Sequence, residues 1–138
     1  MSAKNRLKKP EPERGKHIAP PVAKAPQAGD YPVFCFRFLQ PNFGISDCSQ
    51  EEQQTLIQQL GALSQMTWQE IYQAPRHGLG TEKIAQSAIR PPLPLVLTED
   101  IGLIAFRFSG VKPMVGFRDT NVFRLLWLDH SRTVYNHG

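Results

Sequence analysis

Long apolar runs, metal-ligand spacings and paired cysteines are all missing from this chain of 138 residues. The longest apolar stretch, residues 122–128, is broken by Arg124 and falls far short of the ~20 residues that cross a bilayer as a helix. No apolar core follows the positive residues at the N-terminus, so a secretory signal is not expected and the cytoplasm is the expected compartment. Cys35 and Cys48 are the only two cysteines. They lack the spacing of a zinc site, and in a reducing compartment they read as free thiols. No Gly-x-Ser-x-Gly elbow occurs. The glycines of His77-Gly78-Leu79-Gly80 lack the Lys-Ser/Thr ending of a phosphate loop. Compact Asp/Glu/His ligand patterns are absent too, so neither a metal nor any other cofactor is expected.

What the chain does have is unevenly placed. Residues 1–30 carry Lys4, Arg6, Lys8, Lys9, Arg14, Lys16 and Lys24 against Glu11, Glu13 and Asp30, an excess of four positive charges. Residues 31–138 hold nine basic and nine acidic side chains and sum to zero. The first 30 residues also hold five of the twelve prolines and few large apolar side chains. Such a segment cannot bury enough surface to offset the entropy of ordering, so a disordered basic tail is expected over 1–30, with His17 inert within it. Its cations suit RNA, ribosome or an acidic partner, and they equally fit a solubilising extension. One α+β domain is expected over 31–138, enough for a single core.

Residues 32–39 alternate with a two-residue period, Phe34, Phe36 and Phe38 on one face, and read as a strand. Pro41, Asn42, Gly44 and Asp47 mark a loop. Two capping boxes then open helices: Ser49-Gln50-Glu51-Glu52 and Thr67-Trp68-Gln69-Glu70. Leu56, Ile57, Leu60, Leu63 and Met66 form the apolar stripe of the first. Trp68, Ile71 and Tyr72 read as core positions of the second, which must stop near Pro75. Residues 76–84 read as a polar loop leading into a short helical turn, and Pro91, Pro92 and Pro94 as a stiff connection. Residues 101–108, 114–117 and 122–129 read as three antiparallel strands joined by short turns. The successive Leu125, Leu126, Trp127 and Leu128 point to a central strand covered on both faces.

Cations, histidines and tyrosines cluster around this sheet. Cleaving an RNA phosphodiester through its 2′-hydroxyl requires a group to take a proton, cations to hold the phosphorane, and a group to return a proton to the leaving oxygen. The region before the sheet supplies Arg76, His77 and Lys83. The sheet and the residues after it supply Arg107, Arg118, Arg124, His130, Arg132, Tyr135 and His137. Arg107 and Arg118 lie on adjacent strands, where a shared face would bring them together. His137, one residue from the end of the sequence, reads as a frayed position, and Asp129-His130-Ser131-Arg132 equally fits a plain polar turn.

The order of strand, two helices, loop and antiparallel strands ending in tyrosine resembles the RelE/ParE toxin superfamily. The likeness rests on Ala105-Phe106-Arg107-Phe108, Met114-Val115-Gly116-Phe117-Arg118, Val122-Phe123-Arg124-Leu125-Leu126-Trp127-Leu128-Asp129-His130 and Val134-Tyr135. It implies a fold with an N-terminal strand, a helical hairpin and a three- to four-stranded antiparallel sheet. It also implies a ribosome-dependent mRNA endonuclease neutralised by an antitoxin protein, with no membrane partner. On this likeness Arg107 and Arg118 would hold phosphate charge, His130 would act as acid or base, and Tyr135 would orient or deprotonate the nucleophile. Lys83, with Arg76 and His77, would bind substrate. ParE-like members instead poison gyrase. The sequence leaves the oligomeric state open.

Overall fold

The computed structural model describes residues 25–75, 78 and 81–137. Its elements run β1 (Val33–Cys35), α1 (Gln50–Ser64), α2 (Trp68–Gln73), β2 (Glu82–Ile84), β3 (Leu103–Ser109), β4 (Lys112–Asp119) and β5 (Val122–Leu128). The class is α+β. The five strands form one mixed sheet in the order β1-β5-β4-β3-β2, with β1 parallel to β5 and every other pair antiparallel. Two features depart from what the sequence suggests. Residues 82–84, read as loop, pair with Leu103–Ala105 as an edge strand. The first strand ends at Cys35 rather than continuing to residue 39, because the chain turns there. Phe34 and Phe36 therefore pack on one side of the sheet and Phe38 on the other.

Both capping boxes form. Ser49 Oγ accepts from the Glu52 amide while Glu52 accepts from the Ser49 amide, and Thr67 and Glu70 repeat the exchange. Each box satisfies backbone donors that a helix start leaves open. Helix α1 buries Leu56 and Leu63 against the sheet, but Ile57 is 64% exposed and lies outside the stripe. Helix α2 buries Trp68 and Ile71, and the Trp68 indole donates to the Asn121 carbonyl at 3.0 Å, tying the helix to the β4–β5 turn. Tyr72, expected in the core, is exposed, its ring 5.7 Å from that of Trp68.

The helices cover one face of the sheet with Trp68, Phe106, Phe108, Met114, Phe123 and Leu125. The other face is covered without helices. Phe38, Phe43, Ile89, Val96, Leu97 and Ile101 pack there against Leu103, Val115, Phe117, Leu126, Trp127, Val134 and Tyr135. The apolar run at the end of β5 follows from burial on both faces together with a bulge. Gly116 pairs with Leu125 and Val115 with Trp127, so Leu126 is the extra residue and lies with Trp127 on the face without helices. The bulge requires glycine at 116, because a Cβ there would meet the Arg124 carbonyl oxygen at 2.1 Å. Among the described residues no helix is long and apolar enough to cross a membrane.

Candidate active site

The chain leaves β5 at Asp129, the one charged side chain that is fully buried among the described residues. Burying a carboxylate is costly unless donors surround it, and here they do. Oδ1 accepts from the Thr133 amide at 2.7 Å and Oδ2 from the Val134 amide at 3.0 Å. The same Oδ2 faces His137 Nε2 at 3.2 Å. Further bonds from the Asp129 amide to the Pro113 carbonyl and from the Arg132 amide to the Asp129 carbonyl close residues 129–132 into a tight turn, with Arg132 at φ +57°. Val134 is buried beyond it, and the Arg90 amide donates to its carbonyl at 2.8 Å.

This turn carries the last residues back over the helix-free face. Tyr135 is buried there, and the His137 ring lies against it with centroids 4.1 Å apart. Tyr135 and His137 line a cleft of about 350 Å³ together with Glu82 of β2, Arg107 of β3, Arg132 and Asn136. One cleft thus holds an imidazole fixed by a buried carboxylate, a phenol, two guanidinium groups and a second carboxylate. Imidazole and carboxylate can take and give protons, and guanidinium groups neutralise oxyanions.

The residues named from sequence separate into groups. Arg107 and Tyr135 meet in the cleft. Arg118 does not join them. Its guanidinium carbon lies 4.6 Å from the Trp68 ring centroid, on the helix side. Arg107 pairs with Pro113 and Arg118 with Phe123, so the two are separated by five residues of β4, roughly 17 Å at ~3.4 Å per residue. The expected shared face is therefore corrected. His130 turns towards the 36–43 loop, where Nε2 lies 3.0 Å from the Asn42 carbonyl oxygen and the ring 6.0 Å from that of Phe43. Lys83 is exposed and pairs with Ile104, which packs on the helix side, whereas its neighbour Glu82 pairs with Ala105 of the cleft face. Arg76 and His77, like His17, lie outside the described residues. Arg124 bonds Asp119 at 3.2 Å and the Cys35 sulfur at 3.3 Å.

Sequence reasoning placed His137 at a frayed end and gave Glu82 and Asp129 no role in the site. A signal for the first and last was present. An aspartate at the end of an apolar strand, followed by backbone donors and a histidine eight residues on, is a ready carboxylate–imidazole pair. Comparison of the chain with family models, with curated proteins and with solved structures returned no match.

Proposed function

We propose that the chain is a toxin-like endoribonuclease of the RelE/ParE kind. It would cleave ribosome-associated mRNA by metal-independent attack of the 2′-hydroxyl, and an antitoxin protein would neutralise it. The observation that carries this reading is the Asp129-held His137 stacked on Tyr135 in the cleft that Arg107 and Arg132 line. His137 takes the acid–base role first given to His130. Arg132 replaces Arg118 as the second cation on the phosphate. Tyr135 sets the plane of the imidazole, and Glu82 supplies a second proton-exchanging group. The antitoxin and the ribosome rest on the family resemblance.

The test is induction of the gene in a bacterial host beside its His137→Gln and Arg107→Ala variants, with mRNA ends mapped on ribosomes. Growth arrest with new ends in the wild type alone is the expected result. Loss of one general acid–base group lowers a rate by about 10²–10⁴-fold. Equal arrest and equal cleavage in all three, at equal expression, would remove the cleft from the mechanism.

A second reading draws on charge. With nine cations and nine anions over residues 31–138, the body suits a non-enzymatic interaction module, gyrase-poison-like or otherwise, as well as a polyanion enzyme. Arrest that survives both substitutions without new mRNA ends would select that reading.

A further inference from the structure

A second cationic hollow, of about 560 Å³, lies at the far end of β4. Arg37, Arg118 and Arg124 line it with Asp119, over an apolar floor of Phe38, Phe117, Val96 and Ile101. Among the lining residues three arginines stand against one aspartate. Arg124 is bonded to that carboxylate and stands 5.8 Å from the Phe38 centroid. Arg118 is held by its stacking on Trp68 and by its Nε donating to the Thr120 carbonyl. Arg37 is exposed and makes no ion pair among the described residues. Two of the three cations are thus set in place by interactions that leave the hollow net positive.

The neighbouring hollow around Trp68 and Tyr72 is a poorer anion site, because Asp30 and Glu70 offset Arg118 there. The cleft and the floor of the hollow both belong to the helix-free side of the sheet, with Pro113 of β4 at one and Phe117 at the other, while Arg118 reaches the rim of the hollow from the helix side. A rim of planar cations over an aromatic and aliphatic floor matches a single-stranded nucleic acid. Phosphates take the guanidinium groups, and a base lies on the floor.

We infer that the Arg37/Arg118/Arg124 hollow binds the single-stranded RNA several nucleotides away from the bond cut in the cleft, gripping backbone phosphate and one base. This rests on the endoribonuclease reading, and it gives Arg118 a role in holding substrate rather than in the chemistry.

The experiment uses the full chain and a labelled single-stranded RNA of about 12 nucleotides, methylated at the 2′-oxygens so that it stays intact. Binding is compared for the wild type, Arg37→Glu and Arg90→Glu. Arg90 is exposed and lines neither the cleft nor the hollow, so its reversal makes the same change in net charge elsewhere. Arg37→Glu should weaken binding about tenfold and lower the slope of log affinity against log salt by about 0.7 for each phosphate that is no longer neutralised. Arg90→Glu should change affinity by no more than about twofold. Equal weakening by the two reversals would overturn the hollow as a site, as would no weakening by either. The catalytic reading is scored separately, by cleavage of unmethylated RNA. If His137→Gln abolishes cleavage while Arg37→Glu binds as the wild type does, the hollow falls and the enzyme stands. If His137→Gln still cleaves while Arg37→Glu binds poorly, the hollow stands and the catalytic reading falls.

Discussion

The two faces of the sheet are built differently. On the helix side, Trp68, Phe106 and Phe123 meet ring to ring, with Phe106 and Phe123 edge-on at 4.9 Å. Apart from the indole, whose N–H is bonded, this cluster is almost free of polar atoms. On the other side, loops and the residues after β5 do the covering, and buried polar groups are part of the packing: Asp129, Tyr135 and His137 lie among or beside Val134 and Trp127. Helices satisfy their own backbone and leave only side chains to pack. A covering of loops must find partners for its backbone, and that need places donors and acceptors where chemistry can use them. The difference puts a ring-packed core on one face and a polar cleft on the other.

Removing a ring from the helix side should give the largest effect. Phe106→Ala deletes a fully buried ring that touches Trp68 and Phe123, at a cost of about 4 kcal/mol. Denaturant unfolding should report this as a lower midpoint with the slope retained. On the other face, Asp129→Asn replaces two charge-assisted acceptors by one neutral oxygen and a donor aimed at an amide, a loss of about 2 kcal/mol. Here hydrogen exchange should separate local from global loss. Amides of 130–137 should lose protection while those of α1 keep theirs, and a uniform loss would contradict the division of labour between the faces.

The helix side was the more legible in the sequence. Capping boxes at Ser49 and Thr67 act within four residues, and the Leu56–Leu63 spacing is local, so both could be read directly. The three C-terminal strands fell within a few residues of their observed limits for the same reason. Edge strand Glu82–Ile84 carries no β-rich signal and exists because Leu103–Ala105 offers it a partner. The parallel pairing of β1 with β5 joins residues about ninety positions apart, beyond any local pattern. The site divided in the same way. Arg107 and Tyr135, named from residue type, line one cleft, whereas the separation of Arg118 and the capture of His137 depend on strand register and on a turn folded around Asp129.

A pH series sharpens the comparison. Glu52 of α1 is joined to Lys112 at the start of β4. The Lys112 hydrogen bond, followed by that from the Ser49 amide, holds its carboxyl below the ordinary glutamate range. Because the folded value lies below the unfolded one, near 4.3, this contribution is present above that pH and is lost as pH falls through the folded value. Melting temperatures of Glu52→Gln should therefore fall less steeply than the wild type's below about pH 4. Near neutrality the variant should lose less than about 1 kcal/mol, since Lys112 is partly exposed and Gln can still close the capping box. An unchanged acid limb would mean that other carboxylates dominate acid unfolding.

The smallest effect is expected at Trp127, and its sign is informative. Its indole N–H is fully buried with no partner among the described residues, in the cluster that includes Val115, Leu126 and Tyr135. Trp127→Phe leaves a gap where the second ring was, which destabilises, but it also removes a buried donor that costs free energy in the wild type. The two terms oppose each other, so the net change should stay within about 0.5 kcal/mol. The same substitution at Trp68 removes a donor bonded to Asn121, so cavity and broken bond act in one direction and that variant should be clearly less stable. If Trp127→Phe instead proves as damaging as Trp68→Phe, the helix-free face is packed as tightly as the other, and its polar groups are held by shape rather than tolerated by a looser covering.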